Sequence, residues 1–281
     1  MIKDLNYYNK KIKEIWPDES HIDKELIFYI KEKLDLNDLS LFVDNHKFSK
    51  EEENSINDFF EKKKNGIPLD YILQKSSFYQ NDFFVDERVL IPRPETEILV
   101  DHINNLNLSP GVKILDAGVG SGCIGASLAK LNPETLIYGV DYSLAALQVA
   151  KINKQKLNLS NFYLINSIWL NSLKENMFDI IVSNPPYVAP FDPHLEELKH
   201  EPISALVAEQ NGLRDFDLIS SQAIKVLKKD GLLAFEHGNN QANEVRNIMI
   251  NYGFKNIILI NDFQLQPRIT IGKKYKKSYC S

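Results

Sequence analysis

The chain has few cysteines and no long apolar run. Its 281 residues include only two cysteines, Cys123 and Cys280, so a disulfide framework is excluded, and no cysteine–histidine spacing indicates a metal site. A membrane-spanning helix needs about 18 consecutive apolar residues, and no such stretch occurs. The segment after Met1 also lacks the apolar core of a signal peptide. These absences predict a cytoplasmic protein with no metal and no membrane contact.

The chain also lacks an excess of positive charge. Its formal net charge is -5, which argues against a protein that coats nucleic acid by electrostatic attraction. We therefore expect no stable nucleic acid binding. Hydrophobic residues make up 43% of the chain, which is enough for a packed core. A length of 281 residues predicts one large domain or two modest ones.

Residues 1–75 show helical spacing and no strong strand pattern. Apolar residues recur at helical intervals in two segments: Leu5, Tyr8, Ile12 and Ile15, then Ile22, Leu26, Ile27, Ile30 and Leu34. Ser49 and Glu52 form a capping-box signature before a third helix. This segment carries none of the chemical motifs found later in the chain. We interpret it as a helical domain that recognises the substrate, or as a cap without chemistry.

Residues 76–94 differ in character from the helical segment. Two apolar-rich runs flank the charged pair Asp86 and Glu87, and this pattern predicts a β-hairpin linker. Arg93 follows between two prolines, directly before a predicted helix. This stretch is either a purely structural linker or the rim of a cleft.

From residue 95 onward, strands and helices alternate. Short apolar runs predict strands at residues 114–116, 137–141, 162–164, 180–182, 231–235, 257–258 and 269–271. The segments between them have helical patterns, including one from Leu218 to Lys228 and one capped by Ser143. This alternation predicts an α/β fold with a doubly wound, parallel-based sheet. The last two strands are close in sequence and are predicted to form an antiparallel hairpin.

A glycine-rich loop follows the first strand of this sheet. Gly120, Gly122 and Gly125 have the spacing of a dinucleotide-binding fingerprint, and Asp141 lies where a ribose-binding acid is expected. A pyrophosphate would use the N-terminus of the next helix. S-adenosylmethionine has no phosphate and needs acceptors for its ammonium and ribose groups, which Asp116 and Asp141 can provide. The loop alone leaves NAD and S-adenosylmethionine open.

The tetrad Asn184, Pro185, Pro186 and Tyr187 follows the buried strand predicted at residues 180–182. Ligands of open α/β sheets bind beyond the carboxyl ends of the strands. Each proline fixes φ and lacks an N–H group, so the Asn184 and Pro185 carbonyls have no competing local donors. Such a loop suits a planar NH2 group, which donates two hydrogen bonds while an aromatic ring stacks on its face.

These motifs resemble the HemK/PrmC family, protein-(glutamine amide) methyltransferases that act on class 1 peptide-chain release factors. The tetrad is a strong signature of amino-group methyltransferases, and the resemblance covers nearly the whole chain. It includes the segments 90–97, 114–122, 184–187, 201–206, 235–238 and 268–272. It implies a Rossmann-like class I methyltransferase domain at residues 95–281, with a seven-stranded, mostly parallel sheet.

The resemblance also implies the chemistry of the site. S-adenosyl-L-methionine is the expected cofactor, and the expected acceptor is the glutamine of the GGQ loop of a release factor, bound by a cytoplasmic monomer. The cofactor contacts are assigned to Asp116, Gly118, Gly120, Gly122, Asp141, Trp169 and Asn184. Catalysis is assigned to Asn184, Pro185 and Tyr187, and substrate binding to the whole tetrad with Arg93.

Some positions depart from the family pattern, and some alternatives stay open. Ile168 stands where the family commonly has an aspartate that contacts the adenine amino group. Trp169 either lines the adenine pocket or packs in the core, and His237 is either a base or a structural residue. The tetrad also suits the exocyclic amine of adenine in DNA or RNA, although such an enzyme normally has a basic groove. A non-catalytic binding module is disfavoured by the intact tetrad and glycine loop.

Overall fold

The computed structural model describes residues 3–19 and 21–275 of the chain. The chain divides into two compact units, Met1–Lys75 and Ser76–Ser281. Within the described residues, no helix is long and apolar enough to cross a membrane. Cys123 is a buried free thiol, whereas Cys280 lies outside the described residues.

The first unit is a group of short helices around an aromatic core. Its α-helices are α1 (Leu5–Ile15), α2 (Ile22–Leu34), α3 (Lys50–Lys64) and α4 (Leu69–Leu73), and a short π-helix spans Leu39–Val43. Most of the apolar residues predicted to share a helix face are buried, and Ile15, Ile27 and Leu34 are partly buried against the same core. Tyr8, Leu26 and Ile30 are fully buried and belong to one cluster with Phe59 and Phe60. Aromatic side chains of this size dominate the energetics of so small a core.

The N-terminus of α3 has the capping box that the sequence predicts. The Ser49 side chain accepts a hydrogen bond from the Glu52 N–H, and the Glu52 carboxylate accepts one from the Ser49 N–H at 2.6 Å. Two N–H groups that the helix itself leaves unpaired are thereby satisfied. A cap of this kind stabilises a helix by about 1 kcal/mol.

The second unit begins with a two-stranded hairpin. Strand β1 (Ser76–Phe78) pairs with β2 (Asn81–Phe83), so Tyr79 and Gln80 form the turn. Both turn residues have positive φ, 46° and 59°, as two-residue hairpin turns require. The Glu97 carboxylate accepts a hydrogen bond from the Tyr79 N–H at 2.7 Å and holds this turn in place.

The predicted hairpin turn at Asp86 and Glu87 is wrong. The Asp86 carboxylate accepts hydrogen bonds from the Arg88 N–H and the Arg88 Nε, and the Asp86 carbonyl accepts one from the Val89 N–H. These bonds bend the chain back without pairing it to a second strand. Val89 and Ile91 are buried in a loop conformation, which explains their apolar character without a strand.

The core of the second unit is one seven-stranded sheet. Its strands are β3 (Lys113–Ala117), β4 (Leu136–Asp141), β5 (Phe162–Asn166), β6 (Phe178–Ser183), β7 (Leu227–Glu236), β8 (Phe254–Asn261) and β9 (Pro267–Lys274). They lie in the order β5-β4-β3-β6-β7-β9-β8. Strand β9 is antiparallel to both of its neighbours, and the other pairs are parallel. The predicted α/β fold with a mostly parallel seven-stranded sheet is confirmed, including its antiparallel C-terminal pair.

Apolar clusters lie on both faces of the sheet. The helices of this unit are α5 (Glu97–Asn104), α6 (Cys123–Leu131), α7 (Leu144–Lys156), α8 (Ile203–Leu206), α9 (Glu209–Gly212), α10 (Arg214–Val226) and α11 (Ala242–Asn251), with 3-10 turns at Pro94–Thr96 and Pro193–Glu196. In β6, Ile180 and Val182 belong to one cluster and Ile181 to the other. Strands buried on both faces read as continuous apolar runs, which is why this strand is predictable from sequence.

The segment between β6 and β7 departs from the predicted boundaries. Helix α10 begins at Arg214, ahead of the predicted start at Leu218, and ends at Val226. Lys228 is therefore in β7 rather than in a helix. The short helices α8 and α9 leave no periodic signal, because four residues complete little more than one turn.

The carboxyl ends of β3 and β6 lie side by side. In their parallel register Asp116 pairs with Val182, and Ala117 pairs with Ser183. The buried Ser183 hydroxyl donates a hydrogen bond to the Ala117 carbonyl at 2.6 Å. The glycine loop after β3 and the tetrad after β6 therefore leave the sheet next to each other.

Candidate active site

A cavity with a volume of ≈ 480 Å³ opens at this edge of the sheet. That volume is within the usual range for small-molecule sites. The predicted site residues that line the cavity are Arg93, Gly118, Gly120, Asp141, Trp169, Asn184 and Pro186. The remaining predicted site residues are not among the residues that line the cavity: Asp116, Gly122, Pro185 and Tyr187. The glycine loop, Asp141 at the end of β4 and part of the tetrad therefore line the same cavity.

The backbone N–H groups of the glycine loop are largely used within the protein. Those of Gly118 and Val119 both donate to the Val140 carbonyl at 2.9 Å. The Gly120 N–H donates to Oδ2 of Asp141 at 3.0 Å. A pyrophosphate would need these donors and would also meet the negative charge of the carboxylate. The loop therefore suits a ligand that donates hydrogen bonds, such as a ribose, better than it suits a phosphate.

Asp141 presents its carboxylate to the cavity from the end of β4. Its Oδ1 accepts a hydrogen bond from the Ser143 N–H at 2.9 Å, and its Oδ2 is held by Gly120. The Ser143 hydroxyl in turn caps α7 by accepting from the Ala146 N–H, as the sequence predicts. Partial burial raises the pKa of Asp141 despite these hydrogen bonds. These hydrogen bonds fix the orientation of the carboxylate, and its oxygens can accept further hydrogen bonds from a ligand in the cavity.

Asp116 and Gly122 are buried and are not among the residues that line the cavity. Oδ2 of Asp116 accepts a hydrogen bond from the Gly125 N–H at 2.9 Å. Its Oδ1 has no hydrogen-bond partner among the described residues, and burial raises the pKa of Asp116 well above its usual value. Gly122 packs against Ala150, where an added Cβ would lie 3.3 Å from the Ala150 Cβ. The predicted cofactor contacts of Asp116 and Gly122 remain predictions.

An aromatic ring and a carboxyl group, those of Trp169 and Asp215, also line the cavity. The Trp169 ring lies against Gly118, because a Cβ on Gly118 would be 3.2 Å from Cζ3 of Trp169. Burial raises the pKa of the Asp215 carboxyl group, although the nearby Trp169 side chain acts to lower it. Ile168 and Asp215 also line the cavity. A flat heteroaromatic group with an amino substituent fits such a lining.

The tetrad divides between the cavity and the protein interior. Asn184 and Pro186 line the cavity, and Pro185 is buried. Tyr187 packs against a core cluster, and burial raises its pKa to about 12. The Nδ2 group of Asn184 donates to Oγ1 of Thr96 at 3.3 Å. The predicted stacking of Tyr187 on the substrate amide remains a prediction.

The backbone of Tyr187 is fixed by two residues that the sequence pattern does not reveal. Its carbonyl accepts a hydrogen bond from Nε2 of Gln241 at 2.9 Å. Gly212 lies against the same carbonyl with φ of +83°, and a Cβ on Gly212 would be 2.0 Å from the Tyr187 oxygen. Only glycine leaves room for this carbonyl.

Arg93 lines the cavity and is held in place by Glu201. The Arg93 guanidinium donates to Oε1 of Glu201, and Oε2 of Glu201 accepts from the Ile91 N–H at 2.9 Å. The Glu201 carboxylate is nearly fully buried, so its charge is balanced by this pair. Arg93 is therefore part of the cavity wall, and its predicted contact with the substrate stays a prediction.

His237 is buried and both of its ring nitrogens are engaged. Nδ1 lies 2.9 Å from the Gly238 carbonyl, and Nε2 lies 2.8 Å from Oγ1 of Thr270. Burial lowers the pKa of His237, so the neutral ring is favoured. The ring is not among the residues that line the cavity. These contacts support the structural interpretation of His237.

Asn153 is a buried polar residue that links the hairpin to the glycine loop. Its Nδ2 donates to the Phe84 and Ser121 carbonyls at 2.9 Å, and its Oδ1 accepts from the Phe84 N–H at 2.6 Å. An asparagine inside a helix carries no sequence signal for such a role.

Among the described residues, no cluster of three or more His, Cys, Asp or Glu side chains is arranged to hold a metal.

Comparisons with known proteins agree with this geometry. A family model described as a methyltransferase domain matches residues 108–273. A protein of Clostridium acetobutylicum named release factor glutamine methyltransferase is 37% identical over 97% of this chain and 96% of its own length. Proteins of the same name from Shewanella oneidensis and Escherichia coli are 37% and 34% identical. Each alignment covers 76% of this chain, with 75% and 78% of the relatives' lengths.

Two solved structures share the fold at low sequence identity. A methyltransferase from Pyrococcus furiosus has a TM-score of 0.54 at 16% identity, covering 80% of this chain and 99% of that chain. A ribosomal protein L11 methylase from Lactobacillus delbrueckii subsp. bulgaricus has a TM-score of 0.50 at 15% identity, covering 68% and 84%. The family match, together with the hydrogen-bond acceptors that line the cavity, identifies S-adenosylmethionine as the cofactor.

Replacement of Asp141 tests the ribose contact. Asp141→Ala removes both carboxylate oxygens, so affinity for S-adenosylmethionine should weaken by roughly 1–3 kcal/mol, the range for charged hydrogen bonds. Asp101→Ala, which changes an exposed aspartate outside the cavity, is the matched control and should bind normally. Isothermal titration calorimetry measures both. Unchanged affinity in Asp141→Ala would remove this residue from the cofactor site.

The close approach of Gly212 to Tyr187 predicts an unusually large effect of one methyl group. Gly111→Ala is the matched control, since Gly111 also has positive φ but nothing within 4 Å of an added Cβ. That control should lose about 1–2 kcal/mol from backbone strain alone. Gly212→Ala should lose clearly more, because the new Cβ must displace the Tyr187 carbonyl. Denaturant unfolding compares the two, and equal losses would contradict the contact.

Proposed function

The chain belongs to the release factor glutamine methyltransferase family, and from that membership we propose how its cavity performs the reaction. It transfers a methyl group from S-adenosylmethionine to a glutamine side-chain amide of a release factor. We propose that the acceptor is the GGQ-loop glutamine of a class 1 factor, methylated in the cytoplasm by a monomer. The observation that carries the assignment is that Asn184 and Asp141 line the same cavity.

The cofactor is proposed to lie along the glycine loop. Asp141 would accept the ribose hydroxyl protons, and the Trp169 ring would pack against the adenine. Gly118 and Gly120 provide the close backbone approach at the cavity wall. When bound, S-adenosylmethionine supplies a methyl group on a sulfonium centre, which is already activated toward a nucleophile.

The tetrad is proposed to position the glutamine nitrogen. A carboxamide nitrogen is a poor nucleophile, because its lone pair is delocalised into the carbonyl. Oδ1 of Asn184 and the Pro185 carbonyl would accept its two protons and direct the nitrogen toward the methyl group. This is catalysis by orientation and by fixed dipoles rather than by a strong base. Tyr187 would pack against the amide plane, and Arg93 would contact the loop that carries the glutamine.

The substrate assignment is tested with labelled cofactor and alternative acceptors. Purified release factor should gain label at one glutamine, and a release factor with that glutamine replaced by alanine should gain none. Adenine-containing oligonucleotides of DNA and RNA are the competing acceptors, because the tetrad also suits an adenine amine. The net charge of -5 disfavours them. Label in oligonucleotides without label in the factor would overturn the proposal.

Asn184 is predicted to be essential for turnover but not for folding. Asn184→Ala should reduce turnover by about a hundredfold or more, by analogy with removal of one preorganised polar contact at a reacting centre. Cofactor affinity and thermal stability should change little. Asn171→Ala, which alters an exposed asparagine outside the cavity, should retain full turnover. Turnover in Asn184→Ala equal to that of the wild type would contradict the catalytic role of Asn184.

The helical unit is proposed to select the protein substrate. None of the cavity-lining residues belongs to residues 1–75. Specific recognition of a folded protein usually buries about 1,200–2,000 Å² in total, more than one extended loop in a cleft supplies.

A chain that begins at Ser76 tests this division of labour. It should still bind S-adenosylmethionine and methylate a short glutamine-loop peptide as well as the full chain does. It should methylate the intact release factor poorly, because the remote contact is missing. Steady-state kinetics with both substrates measure the difference. If the shortened and full chains methylate the intact release factor with equal efficiency, residues 1–75 do not select the substrate and act as a structural cap.

A further inference from the structure

A buried carboxyl group lies close to Asn184, because Ser183 and Phe235, the residues before Asn184 and Glu236, are paired in the parallel register of β6 and β7. Glu236 ends strand β7, and only 1% of its surface is exposed. The Thr96 and Asn184 side chains both act to lower the pKa of this carboxyl group, so both are close enough to interact with it. Its Oε2 has no hydrogen-bond partner within the part of the chain that the structure describes. Glu236 is not among the residues that line the cavity, so any effect on the reaction must pass through a neighbour.

Thr96 connects this carboxyl group to the catalytic amide. Thr96 is 2% exposed and ends the 3-10 turn Pro94–Thr96. Its Oγ1 accepts a hydrogen bond from Nδ2 of Asn184 at 3.3 Å. A hydroxyl has one proton to donate and two lone pairs. When that proton points to an ionised Glu236, the oxygen can only accept from Asn184, and the hydrogen bonds run in one direction.

The direction of these bonds decides which end of the Asn184 amide faces the substrate. An amide can bind with its oxygen or its NH2 group outward, and only the surrounding hydrogen bonds select one of the two. With the oxygen outward, Asn184 accepts a proton from the incoming glutamine NH2. With the NH2 group outward, two donors would face each other.

We propose that Glu236 and Thr96 are positioning residues that hold the Asn184 amide with its nitrogen inward and its oxygen toward the cavity. The inference rests on the proposed function, since it concerns the orientation of Asn184 in that reaction. Neither residue takes or gives a proton to the substrate in this arrangement.

The charged groups around Glu236 bear on its ionisation. Burial raises the pKa of Glu236 to about 7 and Glu95 adds to the rise, while Thr96, Asn184 and Arg268 act to lower it. The charge of Glu236 also acts on Tyr187 and Cys123, and both have pKa values raised to about 12, so they stay neutral near pH 7. His237, the next residue in the chain, is also favoured in its neutral form. Glu236 is therefore the group expected to change charge near neutral pH.

Thr96→Val is the first test, because valine keeps the shape and removes the hydroxyl. We expect kcat for release factor methylation to fall about tenfold or more, as misorientation of a catalytic group does. The KM values for both substrates should change little, and Thr96→Ser should restore most of the turnover. Thr135→Val is the matched control, since Thr135 is 2% exposed, has a hydrogen-bonded hydroxyl and does not line the cavity.

Glu236→Gln gives an independent second test without changing the cavity wall. In the wild type, kcat should rise as pH increases through about 7, because only the ionised carboxylate fixes the direction of the Thr96 hydroxyl. In Glu236→Gln this rise should be absent and kcat should stay low. In an Asn184→Ala background neither variant should cause a further loss, because residues that act as one unit are not additive.

The outcomes separate the two claims. If the wild type does not methylate the release factor, the proposed function fails. If it does, and Thr96→Val behaves like Thr135→Val, the positioning role is wrong. A further loss of kcat when Thr96→Val or Glu236→Gln is added to Asn184→Ala would also contradict the positioning role. So would a rise of kcat with pH that is still present in Glu236→Gln. Should Thr96→Val fail to fold, the kinetics of Glu236→Gln decide alone.

Discussion

The hydrogen bond from the Ser183 hydroxyl to the Ala117 carbonyl joins the two strand ends on which the site depends. At 2.6 Å and fully buried, it ties β6 to β3 at the point where each strand gives way to a loop. One loop carries the glycines, and the other carries the tetrad. Because parallel strands end at the same edge, a short cofactor loop and a short substrate loop can face one cavity without a long insertion.

Buried acids give the site its electrostatic character. Burial raises the pKa values of Asp116, Asp141 and Glu236 above those of exposed carboxyl groups. A raised pKa in the folded state means that the folded chain loses stability as pH rises through the interval between the usual and raised values. A cationic ligand in the cavity would offset part of that loss. A sulfonium cofactor with an ammonium group therefore matches the charge of the site, whereas a pyrophosphate would add to its repulsion.

Sequence patterns predict the features that depend on local chemistry or on strong periodicity. The capping box at Ser49 and the buried strand at residues 180–182 belong to this class, since neighbouring residues alone determine them. Features that depend on tertiary contacts are invisible to such patterns. The turn at Tyr79 and Gln80 lacks the usual glycine or asparagine and is held instead by Glu97 from another element.

The same distinction applies to the site. Asn184 and Asp141 are predictable because their residue types follow strand ends in recognisable motifs. Gly212 carries no signal of its own, because its function is to leave room for a carbonyl 25 residues earlier in the chain. Thr96 and Glu236 lie in segments that resemble a known family, yet their link to Asn184 appears only when three separate elements are assembled.

The central claim is that the Asn184 amide oxygen faces the glutamine that is methylated. A structure of the protein with S-adenosylhomocysteine and the release factor tests it most directly. We expect that Oδ1 of Asn184 and the Pro185 carbonyl both accept hydrogen bonds from the glutamine NH2 group, while Nδ2 of Asn184 donates to Thr96. The claim would be contradicted if the glutamine amide were held elsewhere in the cavity, or if Asn184 turned its NH2 group toward the substrate.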